Sequence, residues 1–163
     1  MEKRILRGTG QQVSRVCLGT MTFGQQVDAT EADRILGSAF DAGVNFVDTA
    51  DVYVNGESER IVGKLLKGRR ANTVLASKVG SPSEDGNPRT SGLNKWHIIK
   101  GVEASLERLQ TDCLDILYLH RPDRTAPVEE TLEACDLLIR QGKAHYIATS
   151  NHSSWKMMEL ELK

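Results

Sequence analysis

At 163 residues, with 39% hydrophobic and 26% charged positions, the chain has the make-up of one ordinary globular domain, expected to run from 1 to 163. A net charge of −1 and a pI near 6.4 argue against a broad basic surface for nucleic acid or an anionic membrane. The opening MEKRILRGTG lacks the apolar run of a signal peptide or membrane helix, and Cys17, Cys113 and Cys135 are too scattered for a disulfide framework, so a cytoplasmic protein is expected.

In chain order, Ile5-Leu6 and Val13 to Leu18 flank the turn-rich Gly8-Thr9-Gly10 and predict a β-hairpin. Ile35, Leu36, Ala39 and Phe40 then follow helical spacing, with Thr30 and Asp33 offering an N-terminal cap and Gly43 a stop. A strand at Val44–Val47 precedes a second helix marked by Ile61, Val62, Leu65 and Leu66, and Thr73–Ser77 is the next strand. Gly80 to Gly92, GSPSEDGNPRTSG, is the longest irregular stretch, either a substrate-covering loop or an insertion. Asn94 caps a third helix carrying Ile98, Ile99, Val102, Leu106 and Leu109, and the strand Asp115–Leu119 follows. A helix over Val128–Arg140 stops at Gly142, and Ala144–Thr149 is the fourth strand. This alternation predicts right-handed βαβ crossovers and a parallel sheet, with an open doubly wound sheet and a closed (β/α)8 barrel as the competing architectures. Length favours the open sheet, because a barrel needs about 250 residues.

Polar residues leave the ends of all four strands. The first delivers Asp48, the second Lys78, the third His120, and the fourth Ser150 and Asn151; Tyr53 lies just past Asp48. In parallel α/β folds the carboxyl ends of the strands share one face, where sites are built. Each residue alone has an ordinary explanation: Asp48 as an Asx turn, Lys78 as a solvated cation, His120 as a turn histidine, Tyr53 as a loop aromatic, Ser150-Asn151 as a helix cap. Their recurrence at equivalent places on successive strands is what points to a site. A lysine ammonium beside a phenol favours the phenolate and eases proton donation, Asp48 would hold that lysine, and His120 could orient a substrate oxygen. A carbonyl between Tyr53 and His120 could then accept hydride from its other side.

Other signals fall away. Gly8-Thr9-Gly10 begins a GxGxxG count, but Val13 occupies the third glycine position. His97, His120, His145 and His152 share no metal-ligand spacing with the cysteines, so no metal site is expected. Cys113 and Cys135 read as small packing residues and Trp96 and Trp155 as helix-start packing, with Trp96 also able to border the site.

The chain carries LGTMTFG (Leu18–Gly24), DAGVNFVDTADVY, the lysine ending VLASK, GLNKWHIIKGVEASLERLQTD (Gly92–Asp112), LDILYLHRPD (Leu114–Asp123) and GKAHYIATSNHS (Gly142–Ser153). With these segments in this order it resembles the aldo-keto reductases, a family of nicotinamide-dependent carbonyl reductases built on the (β/α)8 TIM barrel. The pattern is nearer to bacterial and potassium-channel β-subunit-like members than to aldose reductases. The resemblance implies a catalytic tetrad of Asp48, Tyr53, Lys78 and His120, with Tyr53 the general acid. It also places Gly19, Thr20, Met21 and Asp48, with Ser150 and Asn151, near a nicotinamide cofactor. NADPH is the expected cofactor, with NADH left open, and the expected partner is a small-molecule aldehyde or ketone.

The fold thus expected is α/β: an N-terminal β-hairpin followed by four β/α units of the barrel, the second half being absent. Such a half would leave sheet edges and an apolar face uncovered, so self-association through exposed barrel strands is expected. A non-catalytic half-barrel that self-assembles or binds a partner is the alternative function.

Overall fold

The computed structural model describes residues 1–82 and 87–162. The hairpin forms as expected but is shorter: β1 (Lys3–Ile5) pairs antiparallel with β2 (Gln12–Ser14) in the register Arg4↔Val13. The chain beyond Ser14 does not continue the hairpin. Leu18–Gly19 is instead a two-residue strand, β3, that pairs parallel with β4 (Phe46–Asp48). The parallel sheet therefore has five strands rather than four, in the order β3-β4-β5-β6-β7. Its remaining members are β5 (Val74–Val79), β6 (Leu114–Leu119) and β7 (Ala144–Thr149).

Helices α1 (Ala29–Asp41), α2 (Glu57–Leu65), α3 (Lys95–Leu109) and α4 (Val128–Arg140) connect the strands, and α5 (Ser154–Glu161) follows the last one. Asn94 caps α3 as expected, its Oδ1 accepting from His97 N at 2.9 Å. The cap of α1 lies two residues earlier than expected: Asp28, in extended conformation, accepts from Glu31 N at 2.8 Å. Gly43 and Gly142 follow α1 and α4 with φ of 85° and 69°, the left-handed conformation that ends a helix at little cost in glycine. No helix among the described residues is long and apolar enough to cross a membrane.

The pleat sorts the strand residues onto two faces. Val47, Leu75, Val79, Leu117 and Leu119 pack against Leu36, Val62, Ile98, Val102 and Leu138 of the helices. The other face carries a second cluster of Val74, Ala76, Ile116 and Val13, with Leu6, Phe46, Tyr118, Tyr146 and Ala148 against it. All six residues of β5 are buried, as expected for a parallel strand covered on both sides. The hairpin closes one end of this second face. Asn45 fastens it there: Ser14 N donates to Asn45 Oδ1 at 2.7 Å, Asn45 N to Ser14 Oγ at 3.1 Å, and Asn45 Nδ2 to the Gln12 carbonyl at 2.9 Å.

Candidate active site

Period-two geometry brings the functional candidates together. Phe46, Val74-Ala76, Ile116-Tyr118 and Tyr146-Ala148 line the face turned away from the helices. One more step along each strand, on the same face, come Asp48, Lys78, His120 and Ser150. Parallel pairing aligns the steps, with Gly19 opposite Asp48, Asp48 opposite Ala76 and Lys78 opposite Tyr118.

Lys78 is the centre of the cluster. Its ammonium is buried, donates to Asp48 Oδ2 at 2.5 Å and to the Thr49 carbonyl at 2.8 Å. The same Nζ lies 4.7 Å from the centroid of the Tyr53 ring. A buried cation so held gains a carboxylate, a carbonyl dipole and an aromatic face in place of water. His120 meets Tyr53 edge to face, the ring centroids 5.9 Å apart. Burial, and then the charges of Lys78 and Arg121, push the imidazole down to about 4, so it is neutral at physiological pH. Its Nδ1 is buried without a hydrogen-bond partner among the described residues.

Tyr53 is presented by a backbone turn that local propensity does not favour. It opens a short 3₁₀ turn in which Val54 (φ 49°) and Asn55 (φ 53°) are left-handed, and Gly56 (φ 81°) completes the run before α2. Left-handed conformation in a β-branched residue is costly, and it persists where surrounding structure over-determines it.

Of the six expected cofactor contacts, Asp48 lies within this cluster and the other five flank it in two groups. On one side Thr20 N donates to the Asp48 carbonyl at 3.0 Å, which seats Gly19-Thr20-Met21 beside Asp48. Met21 is exposed, and a Cβ at Gly19 would meet nothing within 4 Å. Thr20 itself is fully buried, its hydroxyl engaged with the Asp48 carbonyl and, 2.9 Å away, with Ser58 Oγ. On the other side Asn151, also left-handed (φ 60°), donates from Nδ2 to the His120 carbonyl and to Ser150 Oγ, both at 3.0 Å. These residues do not cap α5, whose N-terminal flank is Ser153.

Several residues that support the site went unnoticed in the sequence. Ser58 donates to the Thr20 carbonyl at 2.7 Å and lies 3.0 Å from Thr49 Oγ, tying the ends of β3 and β4 to the start of α2. Glu59, wholly buried, accepts from Ser77 Oγ at 2.5 Å and from Arg108 Nε at 2.7 Å. Asp51 N donates to the Lys78 carbonyl at 3.2 Å. The Asp51 carboxyl is pushed up to about 7, mainly by burial and then by the nearby Glu59 carboxylate. Their signal was the clustering of Ser, Thr, Asp and Glu in LGT, DTAD and GESE, which has no periodicity of its own. Of the long loop, residues 83–86 lie outside the described residues; Arg89 stacks on Trp96, its guanidinium carbon 4.6 Å from the ring centroid.

Comparison with known proteins identifies the family and the fold. The family model described as the aldo/keto reductase family matches residues 15–163. A protein of Arabidopsis thaliana named probable voltage-gated potassium channel subunit beta is 41% identical over 98% of this chain and 49% of its own length. A Bacillus subtilis protein named uncharacterized oxidoreductase YrpG is 40% identical over 99% of this chain and 52% of its own length. Among solved structures, an aldo-keto reductase from Bacillus halodurans in its holo form superposes with a TM-score of 0.87 at 38% identity, over 98% of this chain and 53% of that one. The chain thus spans about half the length of these relatives, and its five-stranded sheet with flanking helices is the corresponding part of a (β/α)8 barrel. With a family match over most of its residues, the chain belongs to the aldo/keto reductase family.

Proposed function

We propose that this chain carries the reaction centre of an NADPH-dependent oxidoreductase that reduces aldehydes or ketones to alcohols. The observation that carries the reading is the buried Lys78 ammonium, bonded to Asp48 and lying against the ring of Tyr53, with neutral His120 edge-on to the same ring. The flanking residues fit a nicotinamide. Ser150 Oγ uses its oxygen to accept from Asn151, which leaves the hydroxyl proton for an outside carbonyl such as a carboxamide oxygen. The open space over Gly19 suits a flat ring lying on the strand ends. A bound reduced nicotinamide supplies the hydride that the carbonyl carbon receives.

The chain's own residues do the rest. His120, holding one N–H when neutral, donates a hydrogen bond that orients the carbonyl oxygen. As negative charge grows on that oxygen, Tyr53 delivers its proton. The phenolate left behind is stabilised by the Lys78 ammonium, which Asp48 and the Thr49 carbonyl keep fixed. A net proton from solvent restores the phenol, so aldehyde, NADPH and one proton give alcohol and NADP⁺. The test is NADPH consumption with a generic aldehyde by the wild type and by Tyr53→Phe. The variant should lose turnover by at least about a hundredfold with an unchanged circular-dichroism spectrum. Undiminished turnover would overturn the role of Tyr53.

A second reading concerns assembly. β7 is an edge strand among the described residues, and an apolar hollow of about 420 Å³ beside it is lined by Leu119, Leu132, Ile147, Met157 and Leu160. Trp155, Met158 and Leu162 are exposed nearby. Such a surface favours self-association of this chain through its strands. Light scattering should find a dimer or larger species; a monomer at high concentration rejects it.

A further inference from the structure

A cleft of about 520 Å³ lies between the loops that follow β5 and β6. Its wall begins at Gly80, just past Lys78 and Val79, and at Arg121, the residue after His120. Four charged side chains line it: Arg121, Asp123, Arg124 and Glu130. By formal charge it is neutral, yet the two signs are used differently.

Both carboxylates are spent on backbone N–H groups and one hydroxyl. Asp123 Oδ2 accepts from Leu93 N at 2.7 Å, and its Oδ1 accepts from Thr125 N and Thr125 Oγ, each at 2.7 Å. Glu130 Oε1 accepts from Lys95 N at 2.9 Å, at the first turn of α3. Asp123 fits its place only because Gly92 has no side chain: a Cβ there would collide with the Asp123 carboxylate, and Gly92 has φ of 73°. The acids therefore staple the two loops together and fix the walls.

Among the described residues the guanidiniums are left over: Arg121 and Arg124 are exposed and enter no ion pair or hydrogen bond there. An arginine offers five N–H donors in a planar fork suited to carboxylate or phosphate oxygens. Two such forks in a walled cleft of ligand size make a receptor for an anionic group. The charge of Arg121 also reaches His120, so the cleft and the imidazole share one electrostatic neighbourhood.

We infer that this cleft receives an anionic oxygen group on the carbonyl substrate, carboxylate or phosphate, with Arg121 and Arg124 selecting it. The inference rests on the carbonyl-reductase reading, and names its substrate class as carbonyl compounds with an anionic tail. The cation pair would hold the tail while the carbonyl lies toward Tyr53 and His120.

The experiment compares 4-carboxybenzaldehyde and 4-formylphenyl phosphate with the neutral methyl 4-formylbenzoate, in the NADPH assay, for the wild type and Arg121→Gln/Arg124→Gln. The better anion should exceed the ester in kcat/KM by tenfold or more, and the double variant should collapse that ratio to within twofold of one. A preference for one anion over the other tells carboxylate from phosphate. Equal rates for anion and ester, or a ratio untouched by the double variant, would overturn the inference while leaving carbonyl reduction in place. If no aldehyde turns over, the reductase reading fails by itself. The cleft is then read by NMR titration with 4-carboxybenzaldehyde and with 4-formylphenyl phosphate: saturable shifts at the Arg121 and Arg124 side-chain N–H signals, lost in the variant, support the anion site, and unchanged signals with both reject it.

Discussion

Replacing Asp51 with Asn tests the electrostatics of the site without touching a reacting group. The Asp51 carboxyl is raised from 3.8 to about 7 by burial, with the Glu59 carboxylate adding to the rise and Val52 N–H, Arg108 and Lys78 opposing it. Below about pH 4 both folded and unfolded chains hold the proton, and the residue costs nothing. Between there and pH 7 the unfolded chain ionises while the folded one keeps its proton, so stability falls as pH rises; above 7 both are ionised and the penalty is constant. About 3 pH units at about 1.4 kcal/mol each give a full penalty of about 4 kcal/mol. A cavity of about 240 Å³, lined by Asp51, Ser81 and Trp96, gives water an approach to the charged form and sets the measured plateau at roughly 2–4 kcal/mol. Asn has the shape of the protonated acid and no titration. Urea unfolding followed by tryptophan fluorescence, from pH 4.5 to 8.5, should show Asp51→Asn gaining on the wild type up to pH 7 and then levelling. His120 titrates in the same window with the opposite sign, its folded value near 4 below its unfolded 6.5, so stability is lost as pH falls through it. It is present in both proteins and cancels in the difference. A stability difference that is flat with pH, or a variant less stable at pH 8, refutes the account of Asp51.

Ser58→Ala should cost about 2–3 kcal/mol by denaturant titration, because the Thr20 carbonyl loses its buried donor and the Thr20 and Thr49 hydroxyls lose a partner. Asn45→Ala removes the two side-chain hydrogen bonds to the hairpin, from Ser14 N and to the Gln12 carbonyl, and should cost about 2 kcal/mol, with amide exchange at Ser14 accelerating while the α3 amides stay protected.

Much of the architecture was legible because it rests on local periodicity. The apolar rows of α3 and α4 and the buried run of β6 need no distant partner to announce themselves. β3 could not be found that way: it is two residues long, ends in a glycine, and exists only because β4 lies beside it. β4 begins two residues later than its apolar run, because Val44 still bonds back to the Ala39 carbonyl and Asn45 is taken by the hairpin. The cap of α1 was misplaced because DATEAD offers two overlapping patterns, Asp28 with Glu31 and Thr30 with Asp33, and only the turn geometry chooses. The grouping of Asp48, Lys78 and His120 was readable because a parallel sheet fixes where strand ends point. Asp51, Ser58 and Glu59 were not, since their meaning lies in contacts across 18 to 49 residues or in burial that no local pattern records.

The site's rigidity follows from how those contacts close on one another. Lys78 Nζ is held by the Thr49 carbonyl, Thr49 N by the Ala76 carbonyl, and Asp51 N by the carbonyl of Lys78 itself. Thr49 Oγ leans on Ser58, Ser58 on the Thr20 carbonyl, and Thr20 on the carbonyl of Asp48. The loop runs from cation to strand end, to the start of α2, to β3, and back to the residue whose carboxylate binds the cation. Within it most acceptors are backbone carbonyls, which cannot swing away as side chains can. Lys78 can therefore stay in a buried position, where an isolated ammonium would be costly. Tyr53 hangs from the same segment through a left-handed turn that only this bracing can sustain. Precision at the phenol is thus a property of five strand ends and one helix start acting together, and the short β3 belongs to the site as much as any residue that faces it.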